Sequence, residues 1–164
     1  MDNLLDLIFN LLYSKEQIST LKQAFWTAFG QYMSLSLSAE GQKINWINYK
    51  TGLKHLSFKM EANKQIAYIA IEMTHPDPGI QMLIFEQFKE FKLLMETSLG
   101  EEWDWQLHVQ NEHNKTISRI YKETRDASIF KQQDWPALIT FFKPRIIALD
   151  AFWSDAQYSF DLFK

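Results

Sequence analysis

The sequence contains no cysteine, and this absence excludes disulfides, zinc–thiolate sites, iron–sulfur clusters and cysteine nucleophiles. Its five glycines are isolated from one another, so no phosphate-binding loop, nucleophile elbow or dinucleotide fingerprint is present. No apolar run reaches the roughly 20 residues that a membrane-spanning helix needs. The N-terminal stretch carries Asp2 and Asp6 where a signal peptide would have Lys or Arg. We therefore expect a cytoplasmic protein that makes no membrane contact.

The sequence also lacks an excess of positive charge, since its formal net charge is −3. A protein dedicated to duplex DNA usually has a basic balance, so the overall charge argues against that class and leaves room only for a local basic patch. Aromatic residues, in contrast, are abundant, with 13 Phe, 6 Trp and 6 Tyr. They favour a core built from large rings and a ring-lined interface. The length of 164 residues fits one domain, residues 1–164.

Apolar residues recur at helical spacing in the N-terminal part of the chain. They predict an amphipathic helix over residues 3–13, and its apolar stripe consists of Leu4, Leu5, Ile8, Leu11 and Leu12. A second helix is predicted from Lys15 to Met33, because Ser14 and Gln17 have the spacing of a capping box.

Two further helices are each predicted to begin at an aspartate that is followed within two residues by a proline. One begins at Asp77 and ends before Gly100, which suits a helix C-cap. The other begins at Asp134 and contains Pro144. Because proline lacks the N–H that a helix interior needs, we expect Pro144 to kink or split this helix.

Alternation of apolar and polar residues with a period of two indicates strands in the rest of the chain. Residues 55–62 and 65–74 form one predicted hairpin, and residues 103–110 and 116–122 form another. Alternate apolar residues of the third strand are expected to share one face: Trp103, Trp105, Leu107 and Val109. The predicted fold is a single α+β domain in which helices pack against an antiparallel sheet of about four strands, in the order ααββαββα. The polar face of the sheet is either open or covered by the N-terminal helices.

A set of aromatic and structural motifs runs through the chain. The motifs are Phe25-Trp26, Asn45-Trp46, Lys50-Thr51-Gly52, Leu99-Gly100-Glu101-Glu102-Trp103-Asp104-Trp105, Ile117-Ser118-Arg119-Ile120-Tyr121 and Asp134-Trp135. In these motifs the chain resembles a family of bacterial proteins known as domain of unknown function 4268, over about residues 15–164. Longer members carry an upstream region similar to restriction-endonuclease-like proteins, so the resemblance implies an accessory role near nucleic acid. It implies no catalytic residue.

Residues 43–55, which we call the basic-aromatic segment, follow neither a helical nor a strand period. Lysines interleaved with aromatic rings are the usual composition of a surface that binds single-stranded nucleic acid. We therefore expect Trp46 and Tyr49 to stack on a ligand, and Asn48 to read a base edge or cap a turn. The cations of the segment are expected to hold a phosphate or another anionic group: Lys50, Lys54 and His55. The alternative is a surface loop in which Trp46 fills the core and the lysines are solvated.

Glu72 and Arg119 are the two other residues that we assign to a candidate ligand site. Both fall in the middle of predicted strands, where a buried charge needs a partner. We expect them to form an ion pair with each other, and the alternative is that one of them points into a pocket.

Two patterns resemble metal sites but do not meet their requirements, so we predict no metal and no cofactor. His108, Gln110 and Glu112 share one face of a predicted strand, with His113 in the turn, but two imidazoles do not make the three or four ligands of a zinc site. Asp77 and the later Glu-x-Lys of residues 90–92 spell a nuclease motif, but they fall at the cap and in the interior of a predicted helix.

The function predicted from the sequence is a non-enzymatic binding module whose partner is nucleic acid or a protein. One alternative is a metal-dependent nuclease or other hydrolase with a degenerate site, for which the available strand acids are Glu61, Glu72 and Asp104. The other alternative is a self-associating structural protein. Its homodimer face would be formed by aromatic residues on helices: Trp26, Trp135 and Trp153.

Overall fold

The computed structural model describes residues 2–164. In chain order its elements are α1 (Asp2–Leu12), α2 (Lys15–Met33), β1 (Leu56–Ala62), β2 (Ile66–Met73), α3 (Pro78–Glu90), α4 (Lys92–Leu99), β3 (Asp104–Gln110), β4 (Thr116–Arg125) and α5 (Trp135–Ala156). Short 3-10 helices precede and follow α5, at Gln132–Asp134 and Gln157–Phe163. None of the helices in this range is long and apolar enough to cross a membrane.

The four strands form one antiparallel sheet in the order β1-β2-β4-β3. Two hairpins lie side by side because β2 also pairs with β4, and this pairing places Glu72 opposite Arg119. Helices α3 and α5 pack on the apolar face, where Phe58 of β1 lies against Trp153 of α5. The predicted α+β class and the antiparallel sheet of two hairpins are confirmed.

The predicted helix ends are confirmed at three positions. The Ser14 hydroxyl accepts a hydrogen bond from the Gln17 N–H, and the Gln17 side chain accepts one from the Ser14 N–H, which completes the capping box. The Asp77 carboxylate caps α3 by accepting from the Gly79 N–H at 2.8 Å. Gly100 closes α4 in the left-handed region at φ 71°, which a side chain would disfavour.

The single helix predicted between Asp77 and Gly100 is two helices that meet at Phe91. Phe91 has φ −100° and ψ 10°, outside the helical region, and its N–H bonds to the Phe88 carbonyl three residues back. Its ring packs against Phe152 and Phe160, with centroids 6.3 and 6.2 Å away. The break between α3 and α4 therefore coincides with the packing of the Phe91 ring against α5. The spacing of apolar residues in the sequence did not predict this break.

Helix α5, in contrast, is continuous from Trp135 to Ala156. Of the two outcomes predicted at Pro144, a split is therefore wrong, and a kink stays a prediction. Proline removes one intrahelical hydrogen bond, but burial holds the turns on either side of it. Phe142 before the proline and Ile146 after it are both 0% exposed.

Helix α1 buries a different face from the one that its apolar stripe predicts. Its stripe residues are largely solvent-exposed: Leu4, Leu5, Ile8, Leu11 and Leu12. The helix docks instead through Phe9, whose ring lies 4.8 Å from that of Phe130, and through an ion pair between Asp6 and Lys64. These few contacts attach α1 to the β1–β2 turn and to the segment before α5.

Strand β3 contains a bulge between Gln106 and Val109, where Leu107 and His108 together face Ser118 of β4. His108 adopts the left-handed conformation, with φ 53°. The extra residue shifts the alternation, so Val109 pairs with Ile117 while Trp105 pairs with Ile120 on the other face. The predicted common face for Trp105 and Val109 is therefore wrong.

Candidate functional site

Trp46 of the basic-aromatic segment lies in the hydrophobic core. It is 2% exposed, and its indole Nε1–H donates a 3.0 Å hydrogen bond to the Ser36 carbonyl. Because the ring is enclosed, neither of its faces is available to a nucleobase. The position corresponds to the alternative interpretation, in which this residue fills the core.

Tyr49 is also engaged within the chain. Its ring stacks on Phe58 at 5.0 Å, and its hydroxyl donates a 2.6 Å hydrogen bond to Asp150 Oδ1. Burial and the neighbouring Asp150 carboxylate raise the pKa of Tyr49 far above its ordinary value, so the hydroxyl keeps its proton. Asn48 is exposed, and its N–H donates to Asn45 Oδ1 at 3.0 Å. Asn45 thereby caps a turn.

The three cations of the predicted anion site line three different cavities. Lys50 lines a cavity of about 270 Å³ beside Asp150. Lys54 lines one of about 310 Å³ with His75, and His55 lines one of about 740 Å³ with His113. The segment therefore does not gather these three residues around one phosphate.

Lys54 and His55 instead lie at one end of the sheet, together with lysine and histidine side chains from other parts of the chain. The antiparallel register places the start of β1, the end of β2 and the start of β4 at this end. The loops at this end carry five lysine and histidine side chains, which we call the basic end: Lys54, His55, His75, His113 and Lys115. The rings of His55 and His75 are 5.1 Å apart and connect the two cavities.

Neither cavity at the basic end is lined by an acidic residue. The nearby acids have partners of their own: Asp77 caps α3, and Asp161 lies 2.9 Å from Lys164, which lines the smaller cavity. Glu112 lies 3.7 Å from Lys59 and 3.8 Å from the His113 ring. Lys54 and Lys115 form no ion pair with any described residue. The charged side chains that line these two cavities are therefore all basic, although Asp77 and Glu112 lie in the same loops and the net charge of the protein is −3.

His108, which was considered with His113 as part of a histidine site, contacts the start of α3. Its ring Nε2 lies 2.8 Å from the Pro78 carbonyl at the start of α3. The backbone N–H of His108 donates to the Ser118 hydroxyl at 3.0 Å. Within residues 2–164, no three His, Asp or Glu side chains are placed to hold a metal ion.

Glu72 and Arg119 face each other across β2 and β4 but do not form the ion pair expected of them. Arg119 Nε donates to Gln106 Oε1 at 2.7 Å, and its guanidinium lies over the Tyr121 ring at 4.1 Å. Among residues 2–164, the Glu72 carboxylate makes no ion pair or side-chain hydrogen bond, although it is only 8% exposed. Burial raises its pKa; Lys59 opposes this rise, and Glu112 adds to it.

The acids proposed for a hydrolase do not converge. Glu61 lies opposite Tyr68, and Glu72 lies opposite Ser57. The pair Lys59–Ala70 comes between these two pairs and separates the acids. At about 3.3 Å per residue, the two acids lie roughly 13 Å apart along the strand direction. Asp104 is opposite Tyr121 on the far edge strand.

The tryptophans of the predicted homodimer face make contacts inside the chain. Trp153 is 2% exposed and donates its Nε1–H to the Thr51 carbonyl at 2.8 Å. Trp26 and Trp135 are half-buried and lie edge-on to Phe25, at 4.9 and 5.4 Å.

Glu72 gives a pH-dependent prediction. Because its pKa is raised in the folded state, folding becomes less favourable as pH rises from the ordinary value of 4.5 through the folded pKa. Glu72→Gln removes this cost. We expect it to raise the free energy of unfolding at neutral pH by about 0.5–2 kcal/mol, in the range of single stabilising substitutions. The gain should vanish towards about pH 4, where the carboxyl is protonated in both states.

Urea unfolding of both proteins across this pH range measures the difference. Glu61→Gln is the matched control, because the Glu61 side chain is 39% exposed and pairs with Lys22 at 3.9 Å. It should change stability little. A Glu72→Gln effect that is independent of pH would contradict the assignment.

The family model described as Domain of unknown function (DUF4268) matches residues 21–157. The chain belongs to the DUF4268 family. The matched range contains the sheet, the basic-aromatic segment and the basic end, and begins after α1. No curated protein and no solved structure matches the chain.

Proposed function

We propose that this member of the DUF4268 family is a non-enzymatic binding module that contacts the phosphate backbone of single-stranded nucleic acid through its basic end. The observation that carries the proposal is the cavity of about 740 Å³ between the loops at this end, lined by His55, His113 and Lys115 and by no acid. The proposal includes a location in the cytoplasm, where nucleic acid is present.

The chemistry of the basic end favours phosphate contacts over base stacking. Lysines donate hydrogen bonds to phosphate oxygens and neutralise their charge, and this interaction is independent of base identity. Trp46 is enclosed in the core and Tyr49 is stacked on Phe58, so the segment presents neither ring as a stacking platform. We therefore expect binding with little sequence preference and a steep dependence on salt.

The test is fluorescence anisotropy of labelled single-stranded DNA and RNA across a series of salt concentrations. In the double variant Lys54→Glu, Lys115→Glu, affinity should fall at least about tenfold at low salt. The slope of log K against log salt should become shallower by roughly 0.7 for each phosphate that the variant no longer neutralises.

The matched control is the double variant Lys15→Glu, Lys131→Glu, which makes the same change in net charge at two exposed positions away from the basic end. It should bind nearly as the parent protein does. Lys50→Glu, which alters a different cavity, should likewise have a small effect. The proposal fails if the parent does not bind at low salt, or if both double variants lose the same affinity.

A further inference from the structure

The cavity that Lys50 lines, which is separate from the two at the basic end, lies between residues 38–50 and helix α5. Its volume is about 270 Å³, at the small end of the range for ligand sites, which suits a ligand of only a few heavy atoms. The lining combines apolar side chains, among them Ile44 and Trp153, with polar ones. Its charged and amide side chains are Glu40, Gln42, Asn45, Lys50, Asp150 and Gln157.

Asp150 is the central feature of this cavity. It is 6% exposed, and it forms no ion pair with any of the residues 2–164. Two neutral donors hold it: the Tyr49 hydroxyl at 2.6 Å on Oδ1 and the Ala39 N–H at 2.7 Å on Oδ2. A buried carboxylate without a cation is costly, so a positively charged ligand group placed beside it would be favoured.

The two donors also orient the carboxylate. An ionised carboxylate has about four acceptor positions, and the bonds from Tyr49 and Ala39 use one on each oxygen. Tyr49 is itself fixed by stacking on Phe58, so the carboxylate is held before any ligand arrives. Such preorganisation lowers the entropic cost of binding.

The rim adds a second acid. Glu40 accepts hydrogen bonds from the Ser154 hydroxyl at 3.2 Å and from the Gln157 amide at 3.5 Å, which tie it to α5 and to the 3-10 helix that follows. Lys50 is the basic side chain of the lining, so two carboxylates face one ammonium. The charge of the cavity is therefore negative, opposite to that of the basic end.

We infer that this cavity binds a small organic cation, with a primary ammonium group against Asp150 and the rest of the molecule between Glu40 and the amides. The ammonium would donate to the acceptor positions that Tyr49 and Ala39 leave free, and charge-assisted hydrogen bonds of this kind are about twice as strong as neutral ones. This site is separate from the basic end and does not depend on the proposed contact with nucleic acid.

The experiment is calorimetric titration of the full chain with putrescine, and its uncharged diol analogue serves as the matched ligand. Saturable binding of the diamine and none of the diol is expected. In Asp150→Asn the affinity should fall about tenfold or more, because the charge is removed while the shape is kept. Nuclear magnetic resonance should show a shift of the Ala39 amide on binding, because that amide bonds directly to Asp150.

Rim variants keep the proposal testable if Asp150→Asn does not fold. Glu40→Gln should weaken diamine binding and Lys50→Glu should strengthen it, since both residues line the cavity and are exposed. Lys43→Glu makes the same charge change as Lys50→Glu outside the cavity and should leave the affinity nearly unchanged. The inference is overturned if putrescine does not bind, if the diol binds equally well, or if the rim variants leave the affinity unchanged.

Discussion

Replacing Trp46 with alanine is expected to lower the free energy of unfolding by about 3–5 kcal/mol, the usual cost of removing a buried tryptophan. The ring is 2% exposed, and its Nε1–H bond to the Ser36 carbonyl disappears with it. For a domain of this size the midpoint of thermal unfolding should fall by roughly 2–4 °C for each kcal/mol. Thermal and urea unfolding followed by circular dichroism measure the loss.

Tyr158→Ala is the control for this substitution, because Tyr158 is an aromatic residue that is 66% exposed. Its removal should change stability by no more than about 0.5 kcal/mol. If Trp46 were instead a surface ring for stacking on a ligand, Trp46→Ala would leave stability intact and weaken binding alone. The two roles thus give opposite results in the same pair of measurements.

Replacing Arg145 with methionine should produce the second large loss of stability. Arg145 joins α5 to the loop before β3 through paired bonds to Glu101, from Nε to Oε1 at 2.7 Å and from Nη2 to Oε2 at 3.0 Å. Both side chains are largely buried, at 22% and 23% exposure. We expect a cost of about 2–3 kcal/mol, between that of an exposed pair and that of a fully buried one.

The cost of Arg145→Met should depend on pH. Burial by itself would raise the pKa of Glu101, but hydrogen bonds from Arg145 and Trp103 outweigh it and hold that pKa below the ordinary value of 4.5. The ion pair therefore stabilises the fold above about pH 4.5, and this contribution disappears as pH falls through the folded pKa. Urea unfolding at neutral and acidic pH should show the difference between parent and variant shrinking.

Arg125→Met is the control for the Arg145 prediction. Arg125 is 61% exposed and lies 3.7 Å from Glu123, so it represents a surface pair. It should cost at most about 1 kcal/mol. Equal losses at the two arginines would contradict the distinction between them.

Local signals in the sequence were sufficient for most of the fold. The capping box at Ser14, the cap at Asp77 and the C-cap at Gly100 depend on neighbouring residues alone, and all three form as predicted. The division at Phe91 and the continuity of the helix through Pro144 depend on packing against distant residues. Periodicity within a segment carries no information about such contacts.

The candidate sites could be predicted only in part. Lys54 and His55 were selected from their own segment, and the predicted β1–β2 hairpin brings His75 beside them. His113 and Lys115 join them only because β2 pairs with β4. Two hairpins can be arranged in a sheet in more than one order, so the sequence pattern alone did not predict that the loops of the two hairpins lie side by side. Asp150 was missed for a similar reason, since its donor Tyr49 lies 101 positions earlier in the chain.

The bulge in β3 also affects how copies of the protein meet. Strand β3 is at the edge of the sheet, where free backbone N–H and C=O groups are a template for pairing with another strand. The extra residue and the left-handed conformation of His108 interrupt that row of groups midway along the strand. The distortion that directs His108 towards α3 therefore also disfavours continuous pairing of this edge with a strand of a second molecule.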